Sequence, residues 1–500
     1  MRRQSPRRTR PAADPGPHRA ARLWLAALLW ALASTGARAQ SDGEPLTESD
    51  FNIDFVVGPI LGAGRIIGLG GAYTALATGV DGTRWNPATY ASRDQWALDW
   101  LEWDVAFGLI PGSLRNTDFD NDGDSGFEYD SFIFLTLGLG FQFGELGVGG
   151  AVTTQSYEIG GGTNLSLTVG NWGGGYAFLK GQLVLGLSAR TVSLTITEGA
   201  DQPLVDFNGT GPEAGAVLRL SDEPWRIGLA ARLPVESDRA DTPVASGFVL
   251  PQQVRLPWEI QLGAAWQIGP RPLNGAWVNP NLERVYAERA MHAARRARLK
   301  EQLEREELDR RVDLAAGSAP PRVAHLSPRV APPRHSGDLP QDPSWWEEEK
   351  DRRLREEREL RAQLEEDALE RRRNLRAMSR RYLLMSAETI LVGPTDSGIG
   401  VESFLTQVRR GSGQDLSFGF RFGVEGEPIA QYVKMRAGSY FEPSRFEGVP
   451  YRVHGTIGTD IRLFSWDLFG LLDEFTLSLG GSADVAERYV NLGVGIGLWH

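Results

Sequence analysis

The sequence predicts an all-β chain, a transmembrane antiparallel β-barrel of about fourteen strands interrupted by a charged helical insertion. Three observations carry this. The N-terminus reads as an export signal, period-two alternation runs through segments long enough to cross a bilayer, and the links between them alternate between tight and long.

The first 39 residues hold eight arginines and one acid, then an apolar run from Leu23 to Ala33 and a small-residue ending, Ala37-Arg38-Ala39. That order is a secretory signal peptide, and cleavage is expected near Gln40. The apolar run is too short for a spanning helix, which needs roughly 20 residues, and no later stretch reaches that length. The mature chain keeps 45 basic and 63 acidic residues, a net charge of −18, which disfavours nucleic acid as a partner. With no cysteine, neither disulfides nor a zinc-thiolate site can staple the fold. The chain has 59 glycines beside 21 Phe and 15 Trp, a pairing that suits barrel walls, with small residues inside and aromatics at the membrane interfaces.

In a strand, successive side chains point to opposite faces, so an apolar residue at every second position marks a wall between lipid and water. The clearest run is Val254 to Ile268. There Val254, Leu256, Trp258, Ile260, Leu262, Ala264, Trp266 and Ile268 alternate with Arg255, Glu259, Gln261 and Gln267. Ile133 to Phe143 and Leu416 to Gly423 repeat it. Similar segments are Gln95 to Phe107, Glu145 to Glu158, Thr163 to Leu179, Gln182 to Ile196, Pro212 to Leu220 and Trp225 to Val235. Further along come Tyr382 to Val392, Ile399 to Arg409, Ile429 to Phe441, Val453 to Phe464, Glu474 to Ala486 and Tyr489 to Trp499. These make fifteen, whereas single-chain bacterial barrels have even numbers, so fourteen is expected. Tight links fall at Gly144, Lys180-Gly181 and Ser221-Asp222-Glu223, and longer loops at 109 to 130, 197 to 211 and 236 to 252.

Pro270 to Arg381 breaks the alternation. Residues 283 to 313 and 347 to 381 are dense in Glu, Arg, Leu and Ala, flanking a Pro-rich stretch from Ala319 to Pro343. Good helix formers with opposite charges three and four residues apart predict solvated helices arranged as an antiparallel hairpin. The stripe of Leu360, Leu364, Ala368, Leu375 and Met378 is too thin for a sustained coiled-coil seam, so the insertion is either a solvated charged element or a docking site for a protein partner. Counting strands from the two ends puts it on opposite sides of the membrane, which leaves its side open. The resulting division is a signal peptide at 1–39, an N-terminal segment at 40–94, barrel at 95–269, insertion at 270–381 and barrel at 382–500.

Alternation turns Arg190, Arg226, Arg232, Arg255, Glu259, Arg421, Glu425, Lys434, Arg436, Asp460 and Arg462 toward the lumen. Such charges either pair across strands and stiffen the wall or grip an anionic head group, for which arginine is well suited. Asp118, Asp120 and Asp122, with Gly123 and Asp124, resemble the start of a calcium loop. Tyr129 takes the twelfth position, where a bidentate Glu is expected, with Glu128 and Asp130 on either side. The readings here are a calcium site or a solvated acidic loop, and no other cofactor is expected. Gly62-Ala63-Gly64 with Gly68 has the wrong spacing for dinucleotide binding. His292, His325, His335, His454 and His500 show no metal-ligand spacing, and no nucleophile elbow appears, so the chain does not read as an enzyme.

Before the first strand lies Gly58-Pro59-Ile60-Leu61-Gly62-Ala63-Gly64, then Gly68-Leu69-Gly70-Gly71-Ala72-Tyr73, Asp81 and Asn86-Pro87-Ala88. This span resembles the N-terminal region of the FadL-like family of outer-membrane transporters for long-chain fatty acids and other hydrophobic compounds, and of its PorV-like relatives. The likeness is strongest over 64 to 92. It continues more loosely at Leu256-Pro257 and Gly263 and at Met435 to Tyr440, while 270 to 381 and the Trp499-His500 ending depart from the family. The resemblance implies a hatch inside the barrel lumen, with Gly68, Gly70, Gly71, Asp81, Asn86, Pro87 and Ala88 belonging to it. It also implies an outer-membrane channel of a Gram-negative-type bacterium for hydrophobic or amphipathic small molecules, surrounded by outer-membrane lipid. The alternative is a non-transporting PorV-like anchor or adaptor in secretion or envelope assembly.

Overall fold

The computed structural model describes residues 43–498 except 57, 94–97, 115–117, 125–128, 160–161, 199–201, 238–248, 276, 316–342, 379 and 467–474. The expected signal peptide, Glu128, nearly all of the Pro-rich stretch and Trp499-His500 lie outside the described residues. In chain order the strands begin with β1 (Asn52–Asp54), β2 (Leu101–Leu114), β3 (Tyr129–Phe143), β4 (Leu146–Ile159), β5 (Thr163–Phe178) and β6 (Leu183–Glu198). Next are β7 (Gln202–Leu218), β8 (Trp225–Arg232), β9 (Val235–Glu236), β10 (Gln253–Leu256), β11 (Glu259–Ile268) and β12 (Leu383–Val392). The last are β13 (Gly398–Ile399), β14 (Ser417–Ile429), β15 (Val433–Glu442), β16 (Arg452–Trp466), β17 (Phe475–Ala486) and β18 (Tyr489–Leu498). The helices are α1 (Gly64–Gly68), α2 (Pro280–Ala315), α3 (Pro343–Ala377) and α4 (Val401–Thr406).

Fourteen of the strands close into one barrel, each antiparallel to its sequence neighbour in the ring, with β18 returning to β2. Closure matters because hydrocarbon offers backbone groups no water, so every ladder must find its partner within the ring. The pleat sorts the side chains as the alternation predicts. Ile133, Leu137, Trp172, Leu262, Trp266, Phe420 and Ile457 are exposed on the outer wall, while Thr136, Gln155, Asn171, Gln261, Arg436 and Asp484 are buried inside. The remaining strands, β13-β1-β10-β9, form a small sheet outside the barrel ladder.

Two predicted strands are corrected, and one of them explains the odd total. Ile399 to Arg409 is not a wall strand: it holds the end of β13 and then α4, whose buried Ser403 and Phe404 pack inward. Removing it leaves fourteen. Val254 to Ile268 is two strands, because Pro257 cannot donate to a ladder and the chain changes sheets there. Arg255 therefore lies in the small sheet, paired with Glu236, and not on the barrel wall. The expected loop at 197 to 211 is also largely strand, since β6 runs to Glu198 and β7 starts at Gln202.

Walking the ring places the loops on two rims. Tight links at Gly144, Leu179–Gly181 and Gln431 share one rim with the start of β2 and the end of β18. Gly144, Lys180, Gly181 and Gln431 all have positive φ there, as such tight links require. The insertion joins β11 to β12 on this same rim. Its helices are tied to each other by Arg371 on Glu283 (2.8 Å) and to the barrel rim by Arg372 on Asp99 (2.6 Å) and Asn279 on Glu145 (2.9 Å).

Candidate functional site

The N-terminal segment occupies the barrel interior from one rim to the other. At the long-loop rim β1 pairs in parallel with β10 and β13, and Asp54 is held bidentately by Arg445 at 2.8 and 2.9 Å in a buried ion pair. At the opposite rim Arg93 donates to the Gly144 carbonyl (3.0 Å) and stacks 4.3 Å from the Trp277 ring. Between them Ile66, Ile67, Leu69, Tyr73, Leu76 and Ala88 are among the most buried side chains of the molecule.

The wall accommodates this segment through inward glycines. A Cβ on Gly215 would lie 1.9 Å from Asn86 Oδ1, one on Gly186 2.1 Å from the Pro87 carbonyl oxygen, and one on Gly438 2.4 Å from the Gly70 nitrogen. Asn86 is fully buried. Its amide donates to the Thr74 carbonyl (2.8 Å) and, across to β7, to the Ala216 carbonyl (3.2 Å), while its Oδ1 accepts from Ala88 N–H (2.9 Å) and so caps the turn that Pro87 begins. Gly70 and Gly71 turn the chain with φ of 58° and 72°, a left-handed conformation that a side chain disfavours. Gly68 packs against Gly458 of β16.

Most lumen charges anchor the segment. Glu425 accepts from Arg65 of α1 (2.8 and 2.9 Å), from Arg436 (2.6 Å) and from the Tyr382 hydroxyl (2.8 Å), and Arg436 also reaches Asp460 (2.6 Å). Glu388 accepts from Arg421 (2.8 Å) and from the backbone N–H groups of Tyr73 (3.1 Å) and Thr74 (2.9 Å). Arg232 bridges Glu259 (3.0 Å), Glu213 (3.2 Å) and the Trp85 carbonyl (2.8 Å), with Arg190 beside Glu213 at 3.6 Å. Arg226 holds the Leu76 carbonyl at 3.0 Å. Arg462 keeps the inward phase of β16 near the short-link rim. The sequence reading missed Arg65, Glu213 and Glu388. All three sit in segments it had identified, but nothing in one strand shows which hatch group it will meet.

Space remains on both sides of the segment. A cavity of about 260 Å³ lies between Tyr73, Asp81 and the wall residues Asp104, Phe107, Lys434 and Asp460. Toward the long-loop rim a second, of about 140 Å³, lies between Ile60, Leu61 and the wall residues Leu167, Val169, Ile390 and Val392, with Arg84, Arg190, Arg232 and Arg421 also lining it. Arg84 stands apart from the other arginines. Its guanidinium lies over Trp85 at 5.9 Å and has no hydrogen bond or ion pair among the described residues, and burial brings its pKa down to about 10.

At the same rim His454 is fully buried between Asp484 (2.8 Å) and Glu442 (2.7 Å) and stacks on Tyr440 at 4.1 Å. Tyr440 in turn accepts from the Ile60 N–H at 3.3 Å, so His454, set aside by the sequence reading, supports the segment inside the barrel. Two carboxylates of the acidic loop are buried, Asp118 and Asp122 each 4% exposed, while Asp124 is exposed. Burial pushes the carboxyls of Asp118, Asp120 and Asp122 above their usual range, that of Asp120 furthest.

The chain is similar to FadL homologues and aromatic-hydrocarbon channels. A FadL homologue of Pseudomonas aeruginosa matches over 89% of this chain and 97% of its own at 9% identity, with a TM-score of 0.42. The CymD monoaromatic hydrocarbon channel matches over 88% and 96% at 9% identity (TM-score 0.41), and the Pseudomonas putida toluene transporter TodX over 90% and 99% at 11% identity (TM-score 0.39). No family model matches the chain, and no curated protein does. The barrel itself is established by the closed ladder of this chain.

Proposed function

We propose that this chain is an outer-membrane channel for the uptake of hydrophobic or amphipathic small molecules, long-chain fatty acids among them, with the segment from 58 to 92 acting as a movable hatch. The observation that carries the reading is the cavity toward the long-loop rim. Aliphatic side chains of hatch and wall face it, together with Asp120, Glu259 and Glu442, and Arg84 offers it a cation that stacks on Trp85 with no hydrogen bond or ion pair among the described residues. An apolar body with a carboxylate head group satisfies both, since a guanidinium in a water-poor site forms strong charge-assisted hydrogen bonds to carboxylate. At about 140 Å³ the cavity is small, so a long chain enters only as the hatch shifts.

The test is titration of the purified barrel in detergent with a long-chain fatty acid and with its methyl ester. Arg84→Met is expected to weaken acid binding about tenfold, the ratio that roughly 1.4 kcal/mol represents, and to leave the ester nearly unchanged. Absence of saturable binding of either compound to the wild type would sink the proposal. The insertion favours a second reading, as an adaptor: among the described residues, α2 and α3 are largely exposed along their length and are held to the barrel rim through Arg372 on Asp99 and Asn279 on Glu145, as a docking arm for a protein partner would be.

A further inference from the structure

The loop that begins with Asp118 carries a feature that hatch and channel leave unused. One carboxylate oxygen from each of Asp118, Asp120 and Asp122 lies within 4.8 Å of the other two, a spacing that a single ion bonded to all three at about 2.4 Å allows. Two of these carboxylates are already engaged. Asp118 accepts from the N–H groups of Asp122 (3.0 Å) and Gly123 (3.1 Å), with Arg452 3.9 Å from its Oδ2; Asp122 accepts from Asp124 N–H (2.7 Å) and pairs with Arg410. Each of those oxygens keeps a second lone pair.

Asp120 is different. Both of its carboxylate oxygens are buried and neither has a hydrogen-bond partner, so what remains accessible of the residue belongs to its other atoms. It has no ion-pair partner among the described residues either, although it points into the triad. A carboxylate stripped of water and left without donors is a costly arrangement unless a cation or a proton completes it.

We infer that Asp118, Asp120 and Asp122 bind a calcium ion that pins this loop over the long-loop rim. The donors are all hard oxygens, the chain has no cysteine, and both nitrogens of the nearby His454 are occupied by carboxylates, which argues against a softer metal. Magnesium dehydrates reluctantly and demands near-ideal octahedral geometry, whereas calcium accepts irregular carboxylate sets. Gly123, with φ of 86°, makes the sharp turn at the sixth position of the loop.

Calorimetric titration of the chelator-treated barrel with CaCl2 and, separately, with MgCl2 tests this, alongside melting followed by heat-modifiable gel mobility. Expected are one calcium per chain at millimolar or tighter affinity, the range of extracellular modules, with weaker magnesium binding and a melting temperature that rises with calcium. Asp120→Asn should lose at least about tenfold in affinity, while Asp124→Asn, at an exposed position outside the triad, should keep it. No saturable calcium binding up to about 10 mM overturns the proposal, as does calcium binding by Asp120→Asn equal to the wild type's. If Asp120→Asn does not fold, Asp118→Asn takes its place under the same criterion. A calcium-insensitive melting temperature that rises as pH is lowered would mean that a proton completes Asp120, and would equally overturn it.

Discussion

At the scale of single residues, the glycines of the wall and the polar groups of the hatch fit each other. Asn86 shows why a short motif was readable: its turn-capping side chain and the proline after it are local features, and local features are written in consecutive residues. The glycine abundance was visible as well, but its reason was not, because the neighbour of Gly215 is 129 residues away in the chain. Replacing Gly215 by Val would drive a side chain into Asn86 Oδ1, an overlap that typically costs about 1–3 kcal/mol even after relaxation. Gly455 is a matched control, since a Cβ there finds its nearest neighbour at 3.9 Å and faces outward. Hydrogen exchange should show residues 64 to 92 losing protection in Gly215→Val and keeping it in Gly455→Val. Equal protection in both would mean that the hatch is not seated by this contact.

At the scale of elements, period two identified nearly every wall strand and erred where another constraint overrode it. Val254 to Ile268 alternates without a break, yet Pro257 splits it, so the Arg255 half joins β1 while the Glu259 half stays in the wall. Ile399 to Arg409 alternates loosely and folds as the end of β13 followed by α4, because Phe404 is fully buried in the apolar core and not set in lipid. The insertion was legible as helical from composition, and the rim that carries it became legible once the false strand was removed. Each helix is about 50 Å long at 1.5 Å per residue, and the ladder between β11 and β12 closes over all ten residues of each without it. Deleting Leu282 to Arg380 should therefore leave a barrel with wild-type heat-modifiable mobility. Failure of the deleted chain to assemble would show that α2 and α3 take part in folding, whereas assembly with loss of a cellular role would support the adaptor reading.

At the scale of the whole molecule, the ring is uneven. β5 and β6 pair along sixteen residues, but the closing seam of β18 with β2 pairs only Val494, Gly495 and Ile496 with Leu109, Gly108 and Phe107. Barrels gain their stability from continuous ladders in hydrocarbon, where each missing bond is expensive, and the seam should therefore open first. The amides of Leu101 to Ala106 are expected to exchange faster than those of Leu185 to Leu194 in β6. A disulfide between Val494→Cys and Leu109→Cys, which face each other across the seam, should raise the melting temperature by several degrees, and a reductant should reverse it. A matching pair within the long β5–β6 ladder should add far less, because that ladder already holds. Equal gains from the two crosslinks would show that unfolding does not begin at the seam, and would move the weak point of the barrel to the hatch that fills it.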